Sequence, residues 1–256
     1  MQEIQVDKQG AKKYKRKSLI AFLIFFIMIG AAWAGWKWLV TQPLDNGIKG
    51  GIPKPLRKVL DINEEVYSGL YSTKHLIKEY PKSAAAKKAR VNGNLGLDEE
   101  TFDASQWKLQ IVKSSGDTLF LTLDDIKKMN KIDVVFNFKC IEGWSQITWW
   151  SGVRFSDLIK KYGLEKESAM KFVGMKTPDE EYYVGIDMPS ILQPQTILCY
   201  ELNGKPLPMN QGYPLRLIIP VKYGVKHLKR IGTIDFSNTR PPDYWAEKGY
   251  DYYTGL

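Results

Sequence analysis

The sequence predicts an α+β protein of mostly antiparallel sheet with short helices, preceded by one membrane-crossing helix. Three observations carry this. Short runs rich in strand-forming residues recur from Trp107 onward, bounded by Gly, Pro and Asn turns. The helical patches between them are short, and no strand–helix–strand alternation appears, which argues against a parallel sheet. Near the N-terminus, residues 18–40 read SLIAFLIFFIMIGAAWAGWKWLV, and about 20 apolar residues span a bilayer as a helix.

Residues 1–17 end in Lys12, Lys13, Lys15, Arg16 and Lys17. A basic flank stays in the cytoplasm, and Trp33, Trp36 and Trp38 mark the far interface. The expectation is therefore an anchor at 18–40 with the remaining chain on the extracytoplasmic, periplasmic side. Ala32-Trp33-Ala34 also fits a signal-peptide cleavage site, but the apolar run continues past it, which favours an anchor. Residues 41–89 read as a linker rich in Pro and Gly, then covering helices over 56–80. A domain is expected over 90–256.

Within that domain, 107–112 and 118–123 predict a hairpin around Ser114-Ser115-Gly116-Asp117. Thr122 and Asp125 resemble a capping box for a helix to Met129. Ser156 is the expected cap of a helix over 157–162, ended by Gly163. Strands follow at 169–175, 181–186, 196–202, 215–219 and 228–236, with a tight turn at Asn203-Gly204.

Composition narrows the function. The chain has 256 residues and net charge +9. Much of the excess lies before residue 20 and in residues 82–90, so it makes no single stripe. No nucleic-acid-binding motif is present. Two cysteines, Cys140 and Cys199, exclude a disulfide framework. The absence of CxxC argues against thiolate zinc and attached c-type haem. The two histidines, His75 and His227, lie in unrelated segments. Any redox function must then exchange electrons with a partner.

The central stretch is 137–155, NFKCIEGWSQITWWSGVRF. Residues 133–139 alternate as a strand and break at Cys140, where Gly143 allows a turn. A buried structural thiol is the plain reading of such a cysteine.

The ordered motifs alter that reading. Cys140-Ile141-Glu142-Gly143-Trp144-Ser145, then Trp150-Ser151-Gly152-Val153, then Gly212-Tyr213-Pro214-Leu215-Arg216-Leu217 running to Pro220, then Tyr223-Gly224-Val225-Lys226-His227-Leu228-Lys229, then Arg240-Pro241-Pro242 with Trp245, follow in family order. Together they resemble the sulfite oxidase-like molybdopterin enzymes, nearest the branch of bacterial methionine sulfoxide reductase catalytic subunits. The resemblance implies a sulfite oxidase-type fold and a molybdenum-molybdopterin cofactor, with Cys140 as the protein's thiolate on the metal. It places Arg216 and Lys229 at the pterin and its phosphate, and His227 and Leu228 as backbone N–H donors at the same turn. Asn92, Asn94, Thr177 and Gln211 are its remaining cofactor positions. Cys199 is structural.

The implied activity is oxygen-atom transfer, with reduction of a small sulfoxide or N-oxide. A separate membrane or haem-containing protein would exchange the electrons. Sulfite oxidation is the alternative, with Arg154, Lys226 and Arg240 as an anion pocket; Glu142 would repel sulfite. A membrane-tethered binding module of the same fold, and a Cys140 nucleophile with His227 as base, are the remaining readings.

Overall fold

The computed structural model describes residues 8–45, 51–68, 70, 72, 76–91, 93–97 and 102–255. Two compact units result, one up to Leu60 and one from Asp61 onward.

In the first unit, α1 is one helix over Lys8–Val40. Ala11–Val40 is long and apolar enough to cross a membrane, and none of its most apolar window is buried within the protein. Thr41 Oγ1 and Gln42 Nε2 both donate to Trp38 O, closing the helix end. Helix α2, Lys54–Ser68, begins in this unit. Among the described residues the predicted covering helices extend no further. Residues 76–80 are extended instead: Tyr80 N donates to Val135 O at 2.9 Å, and Glu79 bridges Phe136. Their apolar spacing serves an edge contact rather than a helix face. His75 lies outside the described residues.

The second unit holds two sheets. One is β2(Thr118–Leu121)-β1(Leu109–Val112)-β10(Thr233–Ser237)-β5(Phe172–Lys176)-β6(Tyr183–Asp187). Among the described residues only β1 and β10 pair in parallel. The other is β3(Lys131–Lys139)-β4(Ser145–Arg154)-β7(Ile197–Leu202)-β8(Lys205–Pro206), with β9(Arg216–Ile218) also on β7. Two apolar clusters fill the unit. The larger runs from Leu109 and Ile111 to Ile234, the smaller from Val134 to Ile218 around Phe136, Phe138 and Trp150.

Local chemistry explains the elements. The Thr122–Asp125 box caps α3, Leu123–Lys127, with each residue's side chain meeting the other's N–H. Helix α4, Phe155–Lys161, is capped at Arg154, two residues ahead of the expected Ser156, and Arg154 makes no side-chain cap. Helices α5, Glu165–Ser168, and α6, Met188–Ile191, are single turns. The expected strand at 228–236 is half strand. Arg230 at φ +49° and Gly232 keep its first part irregular, and only Thr233–Ser237 pairs.

At Gly152 the β4 and β7 backbones close in. A Cβ there would stand 2.1 Å from Leu198 O, beside a register shift after Ser151. The pairing continues past that bulge to Trp150 with Leu202, where β7 ends. The N-terminal half of β4 meets β3 on one side and a strap of residues 86–90 on the other: Ala86 N donates to Ile147 O at 2.9 Å, and Arg90 N to Gln146 Oε1 at 2.8 Å.

Candidate active site

The tip of the β3–β4 hairpin carries the central thiol. Cys140 N donates to Trp144 O at 2.9 Å, and Cys140 O accepts from Gly143 N at 3.1 Å. Gly143 sits at φ +87°, a conformation that favours glycine. Cys140 is buried yet lines an open cleft of about 180 Å³.

Separate segments build the walls. Gly93 and Leu95 come from the turn after the strap, Ile141 and Glu142 from the hairpin tip, and Arg216 from β9. Gly224, Val225, His227 and Lys229 come from the loop after β9, and Tyr182, Trp245 and Tyr250 from further off. Trp144, one turn from the thiol, is not in the lining. Its Nε1 donates to Glu142 at 2.9 Å and its ring stacks on Phe138.

Arg216 is the dominant charge. It is buried, its guanidinium lies 4.5 Å from the centre of the Trp150 ring, and its Nη1 donates to Gln211 O at 3.1 Å and Gln211 Oε1 at 2.7 Å. Gln211 in turn donates to Arg90 O at 3.3 Å. Burial lowers the guanidinium to about 10, so it stays charged at neutral pH. Its Nε has no hydrogen-bond partner among the described residues. A buried cation with an open donor is a place for an anion. Lys229 Nζ donates to Gly93 O at 2.9 Å, and burial, then Arg216, lowers it to about 7. Burial pushes the Cys140 thiol up, against the backbone N–H groups of Glu142 and Ile141.

The other predicted residues lie as follows. The His227 ring lines the cleft, but both its nitrogens are held inside the protein. Nδ1 accepts from Ile219 N at 3.4 Å, and Nε2 lies 3.1 Å from Lys222 O. Burial, then Arg216, lowers it to about 3, so it is neutral and poorly placed as a base for Cys140. The backbone N–H groups of His227 and Leu228 donate to Gly224 O and Lys226 O, so the expected open donors are used within the turn. Thr177 Oγ1 is held by Asp179 and by Tyr182 N, and Thr177 packs under Gly96, away from the lining. Gln211 acts behind Arg216 rather than in the cleft. Asn94 is exposed beside the lining residues Gly93 and Leu95. Asn92 lies outside the described residues.

The three cations of the sulfite alternative are engaged elsewhere. Lys226 is buried against Asp243, Arg240 pairs with Asp61 and Glu64, and Arg154 lies toward Asp157. Reasoning from sequence missed Tyr182 and Tyr250 as lining residues. Tyr182 reaches the cleft by donating to Val225 O at 2.6 Å, across 43 residues of chain, and no local pattern marks it.

One thiol and two basic side chains around one cleft make a site for an anionic, metal-bearing cofactor. The chain belongs to the oxidoreductase molybdopterin binding domain family, whose model matches residues 96–245. It is therefore a molybdopterin-dependent oxidoreductase. A relative from Azospira oryzae, provisionally named as protein-methionine-sulfoxide reductase subunit YedZ1, is 34% identical over 194 residues, 75% of this chain and 73% of that one. The protein-methionine-sulfoxide reductase catalytic subunit MsrP of Campylobacter jejuni is 29% identical over 176 residues, 61% of this chain and 59% of that one. Among solved structures, the sulfane dehydrogenase SoxCD from Paracoccus pantotrophus shares 18% identity, with a TM-score of 0.49 over 54% of this chain and 40% of that one. This chain thus spans less than two thirds of the MsrP and SoxCD chains.

The residues present fit the family's cofactor. Among the described residues no three His, Cys, Asp or Glu side chains converge to hold a metal alone. A single soft thiolate suits a metal held mainly by cofactor sulfur, and the open Nε of Arg216 suits the cofactor's anionic part.

Proposed function

We propose that this chain reduces sulfoxide or N-oxide substrates, with residues 90–256 as the catalytic domain. The observation that carries the reading is the contrast within one cleft. The cations Arg216 and Lys229 stand where the cofactor would be held, whereas the carboxylate of Glu142 stands among apolar groups at the mouth. Glu142 is exposed there, beside Ile141, Leu95 and Tyr250, each more than a third exposed. Such a mouth admits a neutral polar group on an apolar body and repels sulfite.

When bound, the molybdopterin supplies two-electron redox chemistry and exchange of an oxygen atom. Cys140 would hold the metal, the hairpin turn fixing its backbone on both sides. Arg216, aimed by Gln211 and Trp150, would bind the anionic part, with Lys229 beside it. Trp245 and Tyr250, 5.1 Å apart at their ring centres, would narrow the mouth and exclude water. Glu142, which accepts from Trp144 Nε1, would stand in the same cleft as Cys140 as a group able to carry a proton.

The finer location follows the same reading: an uncleaved anchor over 18–40, the domain on the periplasmic side, and a separate membrane or haem-containing protein supplying electrons. The test is turnover by loaded enzyme. Reduced viologen should be consumed with dimethyl sulfoxide, methionine sulfoxide or trimethylamine N-oxide, and sulfite should reduce no added acceptor. Sulfite oxidation without sulfoxide or N-oxide reduction would overturn the reading.

A further inference from the structure

Residues 82–90 contribute nothing to the cleft lining. This strap runs from Lys82, whose ammonium lies 4.4 Å from the Trp149 ring centre, to Arg90, whose guanidinium lies 4.6 Å from that of Trp144. Its backbone is tied down. Asn203 Nδ2 donates to Ala86 O at 3.0 Å and Lys87 O at 3.3 Å, and Gln146 Nε2 to Lys88 O at 3.3 Å. The edge of β4 is thereby covered, as sheet edges commonly are. Covering an edge does not require the side chains to be cations, and here the exposed ones are Lys82, Lys87, Lys88 and Arg90, with Lys139 beside the hairpin tip.

Among the described residues, Lys87, Lys88, Arg90 and Lys139 form no ion pair. Among the described residues, Asp133 pairs with Lys82 at 2.6 Å, and Glu142 accepts from the neutral Trp144 Nε1 without meeting a cation. The strap's positive charge is therefore left to a partner.

Its position gives that charge a use. Arg90 covers Trp144, and Trp144 O accepts the Cys140 N–H at 2.9 Å. One aromatic residue and one hydrogen bond thus separate the strap from the thiol at the cleft. No residue of 82–90, nor Trp144, lines the cleft. Access along the strap therefore leaves the lining of the cleft free for substrate.

We propose that residues 82–90 and Lys139 form the docking surface for the acidic face of a one-electron carrier protein, which delivers electrons inward through the Trp144–Cys140 turn. This rests on the reductase reading above. Each turnover takes two electrons and two protons and converts a sulfoxide to a thioether and one water. The electrons come from two successive one-electron oxidations of the reduced carrier.

The test uses full-length holoenzyme in neutral detergent, with two reductants of opposite charge: flavodoxin hydroquinone, an acidic protein carrier, and reduced methyl viologen, a small cationic dye. The variant K87E/K88E changes exposed side chains whose residues contribute backbone carbonyls to the strap. K160E/K166E is a control with the same charge change elsewhere. The wild-type flavodoxin rate should fall as salt rises, and K87E/K88E should lower it about tenfold at low salt, as charge reversal at a docking rim does. The viologen rate should stay within about twofold of wild type, since a small dye needs no docking surface. Equal flavodoxin rates for the strap and control variants, or a parallel loss with viologen, would overturn the proposal. So would an unchanged flavodoxin rate with weaker retention on anionic vesicles, which would mark a lipid contact. Flavodoxin-driven growth of the metal's one-electron-reduced resonance, followed without substrate, reads docking separately. It would keep its strap dependence even if no sulfoxide or N-oxide were turned over, so the two readings fail independently.

Discussion

At the scale of single residues, the cleft divides labour between Cys140 and Arg216, and substitution should separate them. Cys140 would touch the metal, while the rest of the cofactor meets other segments. Cys140→Ala is expected to retain most of the pterin yet lose turnover, checked by pterin fluorescence after extraction and by the dye assay. Arg216→Ala removes a buried cation with bidentate geometry and should lower pterin content more than Lys229→Ala does. Cys199→Ala, behind Arg216 and outside the lining, should cost about 1 kcal/mol or less.

His227 has a different consequence. Its neutral ring accepts from Ile219 N and donates to Lys222 O, which a doubly protonated ring cannot do. Burial lowers its pKa from the ordinary imidazole value of about 6.5 to about 3 on folding. Between those values the unfolded chain binds more protons, so stability is retained above about 6.5 and lost as pH falls toward 3. Thermal melting of His227→Gln should depend less on pH between those limits than wild type; an unchanged slope would assign the acid loss to other groups.

Cys140 was legible in the sequence because strand alternation ends at it and Gly143 follows. Arg216 stood out as a lone charge in LRLII. Tyr182 and Tyr250 were not legible. Their approach to the thiol is set by chain crossings and by the aromatic series Tyr182–Tyr244–Trp245–Tyr250, which no local window contains.

At the scale of elements, the β3–β4 hairpin and its neighbours place the thiol. The hairpin pairs without interruption from Lys131 with Val153 to Lys139 with Ser145, so the tip is fixed by nine register pairs. Gly152 sets how closely β7 approaches, and β7 carries Cys199 opposite Arg216. A methyl group at Gly152 would meet the Leu198 backbone rather than a flexible side chain. Gly152→Ala should therefore destabilise the protein by about 3 kcal/mol and reduce cofactor retention, because β7 and Arg216 must shift together. Chemical denaturation of the two proteins checks the first effect. Elements with local signals were predicted well: the Thr122 capping box, and the Asn203-Gly204 turn with φ of +53° and +72°. Segments whose form depends on a distant partner were not. Residues 76–80 have helical spacing but lie along β3, and 228–232 has strand composition but bends where Ile231 N meets Leu215 O.

At the scale of the whole molecule, the remaining issue is which side of a membrane the second unit occupies. Lys12, Lys13, Lys15, Arg16 and Lys17 lie at the N-terminal end of α1 and are exposed, against the single Lys37 in its last turn. Trp33, Trp36 and Trp38 lie at the other end, each more than half exposed. Charge asymmetry of this kind holds the basic end in the cytoplasm, and tryptophans settle at an interface. The chain after Val40 would then emerge on the outer side. A cleaved signal peptide accounts for the same charges, but it leaves α1 without a reason to continue through Trp36 and Trp38 as a single helix. The expected outcome is an uncleaved N-terminus and a second unit digested when protease is added to intact spheroplasts. Protection from protease would place the domain in the cytoplasm. A mature N-terminus near Gly35 would show that the helix directs export without anchoring, and the electron carrier would then have to reach a soluble enzyme.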